Sequence, residues 1–318
     1  MPLNVASSKK KEANKMKQLI IGSHVGVSGR DMLLGAVKDT LSYQANAFMF
    51  YTGAPQNTLR RPIDAFLVDE AHALMAAYQI NKEHVIVHAP YIINLANTTN
   101  QKVMELAKEF LSQEVQRVSQ LGFRYLVIHP GSHVGEGIHV GTNQILSIVN
   151  ELFQKDKSDV VLLFETMSGK GSEIGFNLEQ VIDLIHGVKE KHRVGLCLDT
   201  CHLHDAGYDI TDFDNILDLI EAQIGLEKIK AIHVNDSKNE RGSKKDRHEN
   251  LGFGKIGFSA LLQVIYNPRI AHVPKILETP WIDDYPPYKE EIAMIRQQIF
   301  DPSLKEKIKQ VLKKKVNG

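Results

Sequence analysis

The chain has 318 residues, 43% of them hydrophobic, with 38 basic against 38 acidic side chains and two cysteines. That length and composition allow a large core, and two cysteines exclude a disulfide framework. No apolar run approaches the ~20 residues that span a bilayer and no apolar h-region precedes a cleavage site, so a cytoplasmic protein with no membrane contact is expected.

Charge is unevenly placed. Residues 1–17 (MPLNVASSKKKEANKMK) hold five Lys and one Glu and are expected to form a disordered basic tail. LIIGSHV then predicts a first strand with His24 near its tip, where a structural role is favoured. A helix follows over 32–43, and AFMFY (47–51) is the second strand. The loop after it, TGAPQNTLRRP, carries Gln56, Arg60 and Arg61. VIVH (85–88) predicts a third strand ending at His88 and entering the exposed loop APYIINLAN, with Tyr91 and Ile92. The stretch 101–120 has the apolar spacing of an amphipathic helix. LVIH (126–129) ends at His129, and Gly and Pro force a turn directly beyond it. LLFE (162–165) ends at Glu165 and opens into a glycine-rich loop that lacks the Lys-Ser/Thr ending of a nucleotide-binding P-loop.

Residues 193–209 read RVGLCLDTCHLHDAGYD. A short apolar run that stops at Asp199 suggests a parallel strand buried on both faces, delivering one carboxylate at its end, with His202 three residues on. Taken alone, the pair could equally be a helix cap and a packed imidazole. KAIHV places His233 at the corresponding depth, before the longest polar loop of the chain. That loop holds Asp246 and His248 in a D-x-H spacing, which in an extended segment points both side chains the same way. Lys238, Arg241, Lys244, Lys245 and Arg247 surround them. KILE (275–278) ends at Glu278, a last helix is expected near 289–298, and residues 303–318, with six Lys and one Glu, read as a basic tail with a frayed helix. Without the two tails the body carries nine more acidic than basic groups.

Six consecutive strand-like runs thus end in a donor: His88, His129, Glu165, Asp199, His233 and Glu278. Their separations of 41, 36, 34, 34 and 45 residues are each about one strand–helix unit. Eight strands alternating with helices, with chemistry gathered at one end, predict a single-domain (β/α)₈ TIM barrel over residues 18–302, its metal site at the C-terminal ends of the strands. With His202, Asp246 and His248 the donor set is nine, too many for one tetrahedral ion and enough for two or three. Imidazole and carboxylate without thiolate suit Zn²⁺, Mn²⁺ or Fe²⁺, and five imidazoles favour zinc. Four carboxylates against three divalent cations would leave a cationic pocket in an acidic body, which points to hydrolysis of a phosphate ester.

The motifs HPGSH (129–133), LDTCH (198–202), HVNDSK (233–238), DRHENLGFG (246–254) and ILET (276–279) resemble, in order, those of the endonuclease IV family of zinc-dependent apurinic/apyrimidinic endonucleases. The resemblance runs from about Leu19 to Ile299 and implies a trinuclear zinc centre, with manganese an alternative at one site. His88 and His129 would hold the first ion, and Glu165 would bridge it to a second completed by Asp199, His233 and Glu278. His202, Asp246 and His248 would hold the third, and Glu165 and Glu278 would be the catalytic carboxylates. The implied reaction is base-excision-repair hydrolysis of the DNA backbone 5′ to an abasic site, leaving a 3′-hydroxyl and a 5′-deoxyribose phosphate, with cleaning of blocked 3′ ends. Gln56, Tyr91 and Ile92 would fill the gap in the duplex, with Lys238, Arg241 and Arg247 as further DNA contacts; a monomer is expected. Two features depart from the family pattern: Gln56 stands where some relatives have Arg, and the tail 1–17 has no counterpart. The rivals are a two-metal sugar isomerase or epimerase on the same barrel, disfavoured by the Asp246–His248 pair, and a non-enzymatic protein with a vestigial site, disfavoured by the intact donor set.

Overall fold

The computed structural model describes residues 19–316; the expected basic tail 1–17 lies outside the described residues. Eight parallel strands close into a barrel: β1 (Ile21–His24), β2 (Ala47–Tyr51), β3 (Val85–His88), β4 (Tyr125–Ile128), β5 (Val161–Glu165), β6 (Val194–Asp199), β7 (Ile229–His233) and, after a small hairpin, β10 (Lys275–Leu277), which pairs with β1. The hairpin joins β8 (Asp236–Ser237) to β9 (His248–Glu249) in antiparallel fashion. The chain is therefore a single-domain TIM barrel, with helices connecting the strands.

Alternation along each strand divides the apolar residues into two layers. Met49, Ile86, Val127, Leu163, Cys197, Ala231 and Ile276 are buried together inside the barrel. Their neighbours Phe48, Phe50, Val87, Leu126, Phe164 and Leu196 point outward and pack under the helices, for example against Phe110, Leu111 and Val115 of the helix Gln101–Gln120. Gly22 on β1 is required by the closure: a Cβ there would lie 1.6 Å from the Ala47 carbonyl oxygen of β2.

The C-terminal segment, expected as a basic tail with a frayed helix, is a helix over Leu304–Val316, attached to the barrel. Leu304 and Ile308 are buried with Ile282 and Met294, and Leu312 packs on the same cluster. Their i, i+4, i+8 spacing forms one apolar stripe among the lysines. No helix among the described residues is long and apolar enough to cross a membrane.

Candidate metal centre

Strand period places the donors. Six residues of the inner layer are each followed two positions later by a donor: Ile86 by His88, Val127 by His129, Leu163 by Glu165, Cys197 by Asp199, Ala231 by His233 and Ile276 by Glu278. All six therefore project into the C-terminal mouth of the barrel, where active sites of this architecture lie.

The donor atoms fall into three groups, each within 4.8 Å: His88, His129 and Glu165; Glu165, Asp199, His233 and Glu278; His202, Asp246 and His248. Glu165 belongs to the first two because its oxygens divide. Oε2 lies 3.1 Å from His88 Nε2 and 3.0 Å from His129 Nε2, while Oε1 lies 2.8 Å from His233 Nδ1. In the third group, Asp246 Oδ1 is 3.1 Å from His202 Nε2 and 3.4 Å from His248 Nε2. Two further groupings include Cys197 or Cys201. Burial pushes the Cys197 thiol up to about 12, and the Cys201 thiol also upward.

The backbone fixes which imidazole nitrogen faces the centre. The Nδ1 of His88 lies 2.6 Å from the Ala89 carbonyl and that of His202 2.8 Å from the Thr166 carbonyl. Donation at those positions leaves Nε2 free to bind a cation, as second-sphere partners do in metal sites. Asp199 caps the helix Thr200–Ala206, its Oδ1 accepting from His202 N at 2.8 Å, and Oδ2 accepts from Asn235 Nδ2 at 2.8 Å. Asn235 also accepts Glu278 N–H at 2.9 Å, so one buried amide spaces two carboxylates.

Burial pushes the Glu165 carboxyl up, but the His233 and His129 charges outweigh it and hold it well below the usual carboxylate range. Burial disfavours the charged form of His248, yet Asp246 and Asp199 bring its pKa up to about 9. Asp199 moves upward, because burial exceeds the pull of His202 and His248. The cluster is thus a lattice of mutually compensating charges. The donor set fits divalent metal: His248 Nε2 is buried with no hydrogen-bond partner, aimed between Asp246 and Asp199, and Glu165 presents one oxygen to each of two imidazole groups.

One expectation is corrected. Asp246 and His248 do not share a face through an extended backbone, since Asp246 has φ +57°. The left-handed turn ahead of β9 brings them together instead. His24, half-buried and edge-on to Tyr51 at 5.3 Å, and His133, whose Nδ1 accepts Gly137 N–H at 3.0 Å, sit outside the donor groups.

At the rim, Tyr91 and Ile92 are 52% and 39% exposed on the loop after β3, and Gln56 is exposed on the loop after β2. Lys238 and Arg247 are exposed, their backbones joined by a Lys238 N–H to Arg247 carbonyl bond of 2.9 Å, while Arg241 is paired with Asp209. Sequence reading passed over the buried carboxylates that shape the loop after β7. Asp236 accepts the N–H groups of Gly252, Gly254 and Ile256 at 2.9–3.1 Å. Asp205 accepts Asp246 N–H at 2.8 Å. The glycine pattern LGFGKIG, suited to a loop closing round an anion, is the one signal that pointed to such a carboxylate.

Fold and site together define a xylose isomerase-like TIM barrel, and the family model of that description matches residues 37–298. A protein from Acholeplasma laidlawii (strain PG-8A) named probable endonuclease 4 is 51% identical over 292 residues, covering 91% of this chain and 99% of that protein. The crystal structure of endonuclease IV from Thermus thermophilus superposes with a TM-score of 0.75 at 28% identity, over 87% of this chain and 97% of that one. A D-tagatose 3-epimerase-like protein, at 16% identity and a TM-score of 0.63 over 87% and 99% of the chains, shares the fold alone. The chain belongs to the endonuclease IV family.

Proposed function

We propose that this protein is a zinc-dependent DNA-repair endonuclease that hydrolyses the phosphodiester bond 5′ to abasic sites in duplex DNA, leaving a 3′-hydroxyl and a 5′-deoxyribose phosphate, and that it also clears blocked 3′ ends. The observation that carries this reading is the divided carboxylate of Glu165, which faces two imidazole groups with different oxygens beside a separate His202–Asp246–His248 group. His88 and His129 would hold one cation with Glu165; Glu165, Asp199, His233 and Glu278 a second; His202, Asp246 and His248 a third. Bound there, divalent cations supply charge for the phosphate and the leaving oxygen, and the acidity that makes water a nucleophile at neutral pH.

The chain's own residues orient and select. The carbonyls of Ala89 and Thr166 keep His88 and His202 in a ligating tautomer, and Asn235 separates Asp199 from Glu278. Glu165 and Glu278 are the carboxylates nearest the reaction in this reading. Tyr91 and Ile92, large apolar groups left exposed beside the donors, are placed to enter the base stack once the damaged nucleotide swings out; an abasic nucleotide does so most cheaply because no base must unpair. Gln56 would join them in filling the gap, Lys238, Arg241 and Arg247 would be further DNA contacts, and the salt dependence of binding would report phosphate contacts by these cations.

The test is cleavage of a duplex with one abasic site, before and after removal of metal with a strong chelator. Incision 5′ to the lesion, lost on chelation and restored by zinc, supports the reading. Failure of the zinc-loaded protein to incise overturns it.

A further inference from the structure

The helix Thr200–Ala206 carries His202 and, three residues on, Asp205, a fully buried carboxylate that takes no part in the reaction as proposed. Its Oδ1 accepts from the Ser237 hydroxyl at 2.6 Å. Oδ2 accepts from the backbone N–H of Asp246 at 2.8 Å and from Asn239 Nδ2 at 3.2 Å. The Asp205 carbonyl accepts the N–H of Lys244 at 2.9 Å. The two residues whose N–H groups are gripped, Lys244 and Asp246, have φ of +55° and +57°. Non-glycine residues stay in that region only where their surroundings hold them.

We infer that Asp205 is the positioning residue of the third cation site: it holds the loop 238–247 in the conformation that brings Asp246 to His202 and His248. This rests on the three-cation reading. The carboxylate grips main chain, so it acts on where Asp246 stands and touches neither metal nor substrate. Without it, the part-buried Asp246 N–H loses its acceptor and the left-handed turn loses its anchor. The turn would then relax toward extended backbone, and the Asp246 carboxylate would leave His202 Nε2, now 3.1 Å away. The neighbouring Glu165 groups hang on strand tips and would be unaffected.

The consequence is selective. In Asp205→Ala the third zinc should bind about 10–100-fold more weakly, the scale of removing a metal site's outer support, with the other two retained. Asp205→Asn should bind three, because the Ser237 hydroxyl can turn to accept from the new amide while the remaining oxygen keeps the Asp246 N–H. Ser237→Ala should also keep three. The measurement is zinc per chain after dialysis against graded competitor, on the full-length loaded protein. Wild-type protein that holds only two ions contradicts the three-cation reading itself. Three ions in wild type and an unweakened third ion in Asp205→Ala overturns the inference, as does a loss in Asp205→Asn as large as in Asp205→Ala, which would show that charge and not the hydrogen bond matters. A measurement independent of any alanine variant is amide hydrogen exchange in the loaded wild type. Slow exchange at Asp246 supports the inference, and exchange at the rate of an open loop overturns it.

Discussion

Arg60 and Glu114 meet at 2.6 Å in an ion pair almost wholly removed from solvent, at 3% and 0% side-chain exposure. Arg60 Nη1 also donates to the carbonyls of Asn57 and Leu59, and the Thr52 hydroxyl donates to Glu114 at 2.7 Å. One guanidinium therefore ties the loop that carries Gln56 to the helix Gln101–Gln120. Removing one partner strands a buried charge, so Arg60→Met or Glu114→Gln should each cost about 3–5 kcal/mol in urea unfolding, whereas replacing both with apolar residues should cost much less. Additive costs would show that the two charges do not depend on one another.

Glu165→Gln keeps the shape of the proposed bridge and removes its charge. Zinc content and turnover should both fall steeply, while Glu179→Gln, at an exposed helix position, should change neither. Elemental analysis alongside incision rates decides it, and equal effects at the two positions would refute the bridge.

Tyr91→Ala should weaken binding to an abasic duplex by ~1–3 kcal/mol, the scale of stacking between a base and an aromatic ring. Gln56→Ala should cost less, since a neutral amide brings neither a stacking face nor a charge. Both variants should keep their zinc. Affinities for abasic and intact duplexes compared at fixed salt are the check, and an unchanged ratio in Tyr91→Ala would remove the wedge.

Lys275, fully buried on β10 with Nζ donating to the Ile270 carbonyl at 2.6 Å, has its pKa lowered by burial to about 7. The unfolded chain keeps this proton up to its ordinary range near 10.5. Stability is therefore penalised in full below about 7 and relieved as pH rises from 7 toward 10.5. Relative to Lys275→Met, wild type should gain on the order of a few kcal/mol across that window. Paired denaturation curves at about pH 7 and about pH 10 test it, and a constant difference between the proteins would contradict it.

The barrel and the six strand-tip donors were legible because both rest on short-range pattern. A buried parallel strand is a brief apolar run, and a polar residue two places beyond an inward-facing one must enter the mouth. Asp205 was not legible, because its meaning lies in groups 32 to 41 residues away, the Ser237 hydroxyl and the Asp246 backbone N–H. The stripe of Leu304, Ile308 and Leu312 was hidden by the lysines between them, and only the fold shows that Ile282 and Met294 are there to receive it. Asp246 and His248 converge for a reason the spacing did not contain, a left-handed turn held from outside.

The central claim, a three-cation centre built from nine donors, is tested most directly by counting zinc in Asp246→Ala/His248→Ala beside wild type. Wild type should hold close to three ions per chain and the double variant close to two, with most incision activity gone. Equal zinc in the two proteins would contradict the account.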